Sequence, residues 1–375
     1  MDPICHTLVG ATLAETGLKR LSRFGTATLV VGANLPDLDA ASYAIDADLS
    51  LFVRRGWTHG ALALVVLPVV LALVVTAIGR WRTSGPLGAQ APRFGPLLLL
   101  SVVSVWSHPA LDWLNTYGIR LLMPFDGHWF YGDALFIVDP WMWLAGSAAV
   151  AMTWWARRRG PARVVAALLV LSALVLLNPL ATTPARAAWV AGVSAVIIMA
   201  RSASWRAKLP TVAVVALSLM MAYAALMRVV TVQARSAAER WLARLGASPE
   251  SLMAGPVVAR PFTRDVIVAY DDRYEFLLVD WPAGQVETHG RVLPRGTARD
   301  AAVIDAALSV PDVRGFRTWM RYPSFEIETL NDGYRVLMQD VRYSRDSATG
   351  FATAVVELDR SLRPRPLTLP LAAGE

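Results

Sequence analysis

Apolar stretches approaching the ~20 residues that cross a bilayer recur through the first 232 positions of the chain. The clearest run over 60–79, 95–114, 140–156, 164–180, 187–200 and 209–232, the fifth being the shortest. The loops between them carry alternating numbers of basic residues. Arg80, Arg82 and Arg93 follow the first run, Arg120 the second, Arg157, Arg158, Arg159 and Arg163 the third, Arg186 the fourth, and Arg201, Arg206 and Lys208 the fifth. The positive-inside rule predicts the richer loops on the cytoplasmic side. Upstream, 3–18 and 24–35 read as two short helices dipping into the membrane, with Lys19, Arg20 and Arg23 between them. A cleaved signal would place positive charges before its apolar run, and Met1 and Asp2 stand there instead.

The pattern changes after 232. Residues 236–247 place Trp241, Leu242 and Leu245 on one face of an amphipathic connecting helix. Beyond 255, runs rich in Val, Ile, Phe and Tyr at 265–270, 274–281, 325–330, 334–341 and 352–358 alternate with turn residues such as Asp271-Asp272 and Asn331-Asp332-Gly333. These predict antiparallel strands, with one helix near 298–309. The expected fold is a polytopic α-helical membrane domain followed by a mainly β (α+β) soluble C-terminal domain. Its boundaries are a membrane-embedded core at 1–145, additional transmembrane helices at 146–232, a connecting helix and linker at 233–255, and a β-rich domain at 256–375.

Composition supports that division. The 375 residues are 55% hydrophobic and only 17% charged, against roughly 25% charged in globular domains. Residues 1–232 hold 18 basic and 10 acidic side chains, whereas 233–375 hold 18 and 19, so the excess positive charge lies in the apolar part. A nucleic-acid-binding domain would show a polar face rich in Lys and Arg, and none is expected here. The one cysteine, Cys5, excludes an intrachain disulfide and any multi-cysteine zinc site.

Polar chemistry is crowded into the first third. Four histidines, His6, His59, His108 and His128, precede residue 129, and no acid occurs between Asp139 and Glu239. His108 and Asp112 lie four apart in an apolar run and share a helix face. An ionisable group at membrane depth is costly and marks a functional candidate. His6 opens the first short helix, Asp37 and Asp39 close the second, and His59 begins the first long span. Singly, each has a bland explanation: Asp37 and Asp39 as a cap or Asx-turn after Pro36, His59 as an interfacial residue beside Trp57, His6 as a polar group near a terminus. The expected topology brings His6, Asp37, Asp39, His59, His108 and Asp112 to the same outer membrane edge. A metal site is the economical explanation, and His with Asp suits Zn, Mn, Fe or Ni without choosing among them. An Asp-x-Asp pair can bridge two cations, so one or two ions per chain are expected, zinc first.

The ordered set of motifs resembles the bacterial membrane-bound, predicted metal-dependent hydrolases of the YdjM type. The resemblance is carried by His6 in a His-x-x-x-Gly run, residues 34–39, Arg55-Gly56-Trp57-Thr58-His59, residues 108–118 and 121–125, Gly132-Asp133, and residues 136–140. It covers residues 1–145 strongly and the chain from Pro256 onward more loosely. It implies metal ligands at His6, Asp37, Asp39, His59, His108 and Asp112, with supporting or substrate-contacting roles for Asn34, Asn115, Asp133 and Asp139. The chain departs from the family at Gly60, where serine is usual, and at Pro109, which is expected to be tolerated near a helix start.

The function expected is metal-activated attack of water on a phosphoester or ester of a membrane-associated substrate, with Asp37, Asp39 or Asp112 bridging metals or taking a proton. Bacterial inner membrane, multi-pass, with the site and the C-terminal domain outside, is the expected location. The competing expectation is a non-catalytic membrane scaffold or metal-binding protein whose C-terminal domain binds a partner. Gly56-Trp57-Thr58-His59-Gly60 imitates a nucleophile elbow but opens a hydrophobic span instead of following a strand. His128 beside Trp129 reads as an interfacial loop residue, and His289 as a turn residue of the soluble domain.

Overall fold

The computed structural model describes residues 1–83, 91–346 and 350–366; the end of the expected β-rich domain, 367–375, lies outside the described residues. The chain divides into two compact units. The first comprises Met1–Leu38, Arg55–Val230 and Pro256–Phe262; the second comprises Asp39–Arg54, Thr231–Gly255 and Thr263–Glu375.

In the first unit, α1 (Pro3–Glu15) starts where Asp2 accepts from the Ile4 and Cys5 amides at 3.0 and 3.1 Å. Pro3 fixes the first helical φ without losing a bonded N–H. The α2 helix (Gly25–Asn34) lies close against α1. A Cβ at Gly10 would stand 2.6 Å from the Leu29 carbonyl oxygen, so glycine is what permits the approach. Ala14, Leu29 and Leu100 form a small buried core of this region. A 3₁₀ segment, Leu35–Ala44, follows α2, and α3 (Ala47–Val53) comes next in the chain.

The helices α4 (Ala61–Thr83) and α5 (Phe94–Trp113) match the first two expected spans. They are followed by α6 (Pro140–Trp155), α7 (Gly160–Leu176), α8 (Thr183–Arg201), α9 (Ala203–Arg206) and α10 (Leu209–Arg244). Among the described residues, four helices are long and apolar enough to cross a membrane: Ala61–Arg82, Phe94–Trp113, Thr183–Arg201 and Leu209–Arg244. The fifth expected span, read as the shortest, is a helix of 19 residues, whereas α6 and α7 have 16 and 17. Leucines and valines such as Val65, Leu169 and Val170 are exposed along these helices, as lipid-facing positions should be.

The separate connecting helix expected at 236–247 is absent. Residues 209–244 form one helix of 36 residues, because no glycine or proline interrupts the sequence from Thr211 to Leu245. Gly246, at φ 71°, stands just past its end in the left-handed conformation that suits a helix terminus.

The second unit holds two antiparallel sheets except for residues 256–262, which fall in the first. The first orders β1 (Ser251–Val257), β2 (Arg260–Ala269), β3 (Arg273–Asp280) and β4 (Gln285–Thr288), with β5 (Leu293–Pro294) also paired to β3. Alternation along β2 serves two cores. Val266 and Val268 pack with Ala234, Ala238 and Leu242, while Ile267 and Ala269 pack with Tyr274, Leu293 and Val341. After α11 (Ala301–Ser309) and α12 (Arg314–Trp319), the second sheet runs in the order β6 (Pro323–Leu330), β7 (Gly333–Asp340), β8 (Thr353–Asp359) and β9 (Pro364–Arg365). Asp340, fully buried, accepts from Arg342 Nε and Nη2, both at 2.8 Å, and from the Arg321 amide at 2.6 Å. The same unit takes in residues 39–54. Asp48 of α3 accepts from the Gly315 and Phe316 amides at 2.7 and 2.8 Å, at the start of α12, where the N–H groups lack intrahelical partners.

Candidate metal centre

Three stretches of the first unit supply four side chains whose donor atoms lie within 4.8 Å of one another: Asp37, His59, His108 and Asp112. Asp37 comes from the 3₁₀ segment after α2. His59 comes from a turn just before α4, where the His59 and Gly60 amides donate to the Gly56 carbonyl at 3.1 and 2.8 Å. His108 and Asp112 are one turn apart on α5, as the spacing predicts. Both histidines and Asp112 are fully buried. Pro109 lies inside α5, near its end and not near a helix start as expected.

The two imidazoles face each other. His59 Nε2 and His108 Nε2 are 3.0 Å apart, and Asp112 Oδ2 lies 3.3 and 3.5 Å from them. Asp37 Oδ1 is 3.7 Å from His108 Nε2, and its side chain is 12% exposed. His108 Nδ1 meets the Ala33 carbonyl oxygen at 2.7 Å. A carbonyl only accepts, so Nδ1 carries the proton and Nε2 of a neutral ring presents a lone pair. His59 Nδ1 has Thr58 Oγ1 at 2.9 Å. Imidazole lone pairs and carboxylate oxygens converging in a buried space are a donor set suited to a divalent transition metal. The residues therefore fit the cofactor that the sequence implies, with His108 oriented through its other nitrogen, the usual arrangement for a ligating histidine.

The remaining expected residues surround or leave this group. His6 stacks on His108 with ring centroids 3.7 Å apart, and its Nε2 is 3.3 Å from Asp112 Oδ1. The Met1 amino nitrogen also contacts Asp112 Oδ1. Asp39 is paired with Arg54 at 3.6 Å and is not among the four convergent residues. Asn115, fully buried, accepts from Arg55 Nη1 and from the Tyr117 amide, both at 2.9 Å. Asn34 donates to the Val30 carbonyl at 2.9 Å and accepts from Thr7 at 3.3 Å. Asp139 caps α6, accepting from the Trp141 and Met142 amides, and takes the Tyr223 hydroxyl at 3.1 Å. Asp133 occupies a left-handed backbone position, φ 52°. His128 is exposed and packs edge-on to Phe130, and His289 is exposed in the second unit.

Two arginines at this place were not anticipated as site residues. Arg55 and Arg120 are 2% and 3% exposed. Arg55 Nε lies 3.0 Å from Asp112 Oδ2, and its guanidinium sits 4.5 Å over the Tyr117 ring. Arg120, read from sequence as a loop charge setting topology, is stacked 5.0 Å over Trp129. The available signal was position: Arg55 directly precedes the Gly-Trp-Thr-His run, and Arg120 follows the 108–118 run.

Residues 1–185 match the family described as YdjM inner membrane protein. The chain is also similar to inner membrane protein YbcI of Escherichia coli (strain K12), at 28% identity over 154 residues, covering 34% of this chain and 82% of that relative. No solved structure matches. The apolar helices of the first unit agree with that description, and residues 1–185 are similar to the YdjM inner membrane protein family.

Proposed function

We propose that the first unit is a membrane-bound metal-dependent hydrolase whose ion is held by Asp37, His59, His108 and Asp112. The observation that carries this reading is the convergence of those four donors within 4.8 Å. Zinc is the first candidate, with manganese, iron or nickel compatible with the same ligands. When bound, a divalent cation supplies Lewis acidity, lowering the pKa of water towards neutrality and stabilising a leaving oxygen. His108, fixed through Ala33, presents Nε2, and Asp112 is oriented between His6 and the two facing rings. In this reading Asp37, the one partly exposed member of the four, accepts a proton from attacking water. His6 and Asp39, expected as ligands, complete the set of groups to be tested by substitution.

The substrate in this reading is a phosphoester or ester presented from the bilayer. In the first unit, His59 lies two residues before the start of α4 and Asp112 lies in the last turn of α5, whereas Arg80, Arg82 and Arg93 stand at the other ends of the same helices. With those arginines cytoplasmic, the site faces outward. Metal content of purified wild-type protein and His108→Ala, with phosphodiesterase and lipase substrates, tests the assignment. Equal metal in both proteins sinks the ligand set. Bound metal without turnover on a broad panel supports the non-catalytic, metal-binding alternative instead. Labelling of single cysteines introduced beside Arg82 and beside His59 decides the side of the membrane.

A further inference from the structure

Arg55 combines three features that rarely coincide without a reason. Its guanidinium is buried, its backbone is left-handed at φ 52°, and it touches one of the four convergent residues. A non-glycine residue in that conformation is disfavoured and persists where its surroundings determine it. The Arg55 carbonyl accepts from the Arg120 amide at 2.8 Å, which joins the turn carrying His59 to the loop after α5. The side chain then returns to α5: Nε to Asp112 Oδ2 at 3.0 Å, Nη1 to Asn115 Oδ1 at 2.9 Å and to the Gly118 carbonyl at 3.4 Å.

Asp112 Oδ2 is also the carboxylate oxygen that lies 3.3 and 3.5 Å from the Nε2 atoms of His59 and His108. The terminal torsion of an aspartate is broad and does not by itself hold the carboxylate plane. Here one oxygen is ion-paired with Arg55 Nε, and the other is contacted by His6 Nε2 and the Met1 amino nitrogen. We propose that Arg55 is a positioning residue of this centre: it sets the plane of the Asp112 carboxylate and, through Asn115, the spacing between the His59 turn and the end of α5. The inference rests on the reading that these side chains hold a metal. Arg55 acts through Asp112 and Asn115 and needs no contact with substrate. Lysine would keep the charge and lose the planar fork that reaches Asp112, Asn115 and Gly118 together.

The test uses full-length protein in detergent micelles with Co²⁺ as the probe. Affinity is read by competition with a chromophoric chelator, and geometry by the visible absorption of the bound cobalt. Arg55→Gln is expected to weaken binding 10–100-fold and to alter the cobalt spectrum; Arg55→Lys is expected to fall between it and wild type. Asn115→Ala, which leaves the charge pair intact, is expected to shift the spectrum with a smaller affinity loss, and it decides the matter with Arg55→Lys if the glutamine variant does not fold. Wild-type affinity and an unchanged spectrum in the folded variants overturn the role of Arg55 while leaving the metal centre standing. Absence of cobalt binding by wild type overturns the centre itself, and the positioning role with it.

Discussion

Gly32→Ala is a one-methyl change that tests whether helix spacing holds His108 in place. A Cβ at position 32 of α2 would lie 2.0 Å from Ser104 Oγ, 2.9 Å from Ser104 Cβ and 3.1 Å from Leu71 Cδ2. The hydroxyl and the leucine methyl can rotate away, but Ser104 Cβ is fixed to the backbone of α5. Carbon atoms pack best at about 3.5–4.0 Å, so α2 and α5 must separate by about 0.6–1.1 Å. The 2.7 Å contact between His108 Nδ1 and the Ala33 carbonyl spans the same two helices. Stretched by that amount it reaches ~3.3–3.8 Å, past the useful range of an N–H···O bond. Overpacking costs about 1–3 kcal/mol, and a buried N–H left without its acceptor costs about 1–3 kcal/mol more. Thermal unfolding in detergent should therefore occur at a lower temperature, and zinc affinity, measured by chelator competition, should fall about 10–100-fold. Ser104→Gly in the same chain removes the opposing Cβ and should restore most of the affinity. Gly32→Ala with affinity within about twofold of wild type, or a double variant no better than the single one, would refute the reasoning.

His6→Ala should weaken metal binding less than His59→Ala or His108→Ala, by about tenfold, because His6 meets Asp112 Oδ1 from outside the four convergent donors; equal losses in parallel titrations would promote His6 to a ligand. In the second unit, burial alone would raise the pKa of Asp340, but the Arg342 guanidinium and the Arg321 and Arg342 amides outweigh it and hold the carboxyl below its ordinary value. A depressed carboxylate contributes stability that is present above the unfolded pKa and lost as pH falls through the folded one. Limited proteolysis between about pH 5 and about pH 2, with an acid-tolerant protease, should show wild type losing resistance more steeply than Asp340→Asn; parallel curves would contradict the linkage.

Much of the fold follows from local pattern. The spans and strands were legible because burial in lipid and burial on one sheet face each leave a periodic signature, as in α4, α5, β3 and β7. His108 and Asp112 were legible for the opposite reason, since polar groups stand out against an apolar run. Asp37 and Asp39 look alike in sequence, yet the 3₁₀ segment sends one to the imidazoles and pairs the other with Arg54. That choice depends on tertiary contacts that no spacing encodes. Arg120 was not legible as a neighbour of the site because the positive-inside rule counts charge near span ends without asking whether it is solvated. Arg55 was visible as part of a motif, but its role depends on Asp112, far away in the chain. The unbroken length of α10 was predictable from the missing glycine and proline, had composition not changed at the same place.

The pairing of Asp48 with the start of α12 has a consequence for biosynthesis. Asp48 and Gly315 are 267 residues apart. At ~5–20 residues per second, the ribosome delivers the second partner roughly 13–53 s after the first. During that interval residues 39–54, which separate Asp37 from His59 in the chain, are waiting for α12. The amino-terminal third therefore cannot finish this loop as it emerges. A chain stopped before residue 314 keeps every one of the four convergent side chains, yet lacks the helix end that takes up Asp48, and any study of the membrane unit alone inherits that unfinished segment between Asp37 and His59.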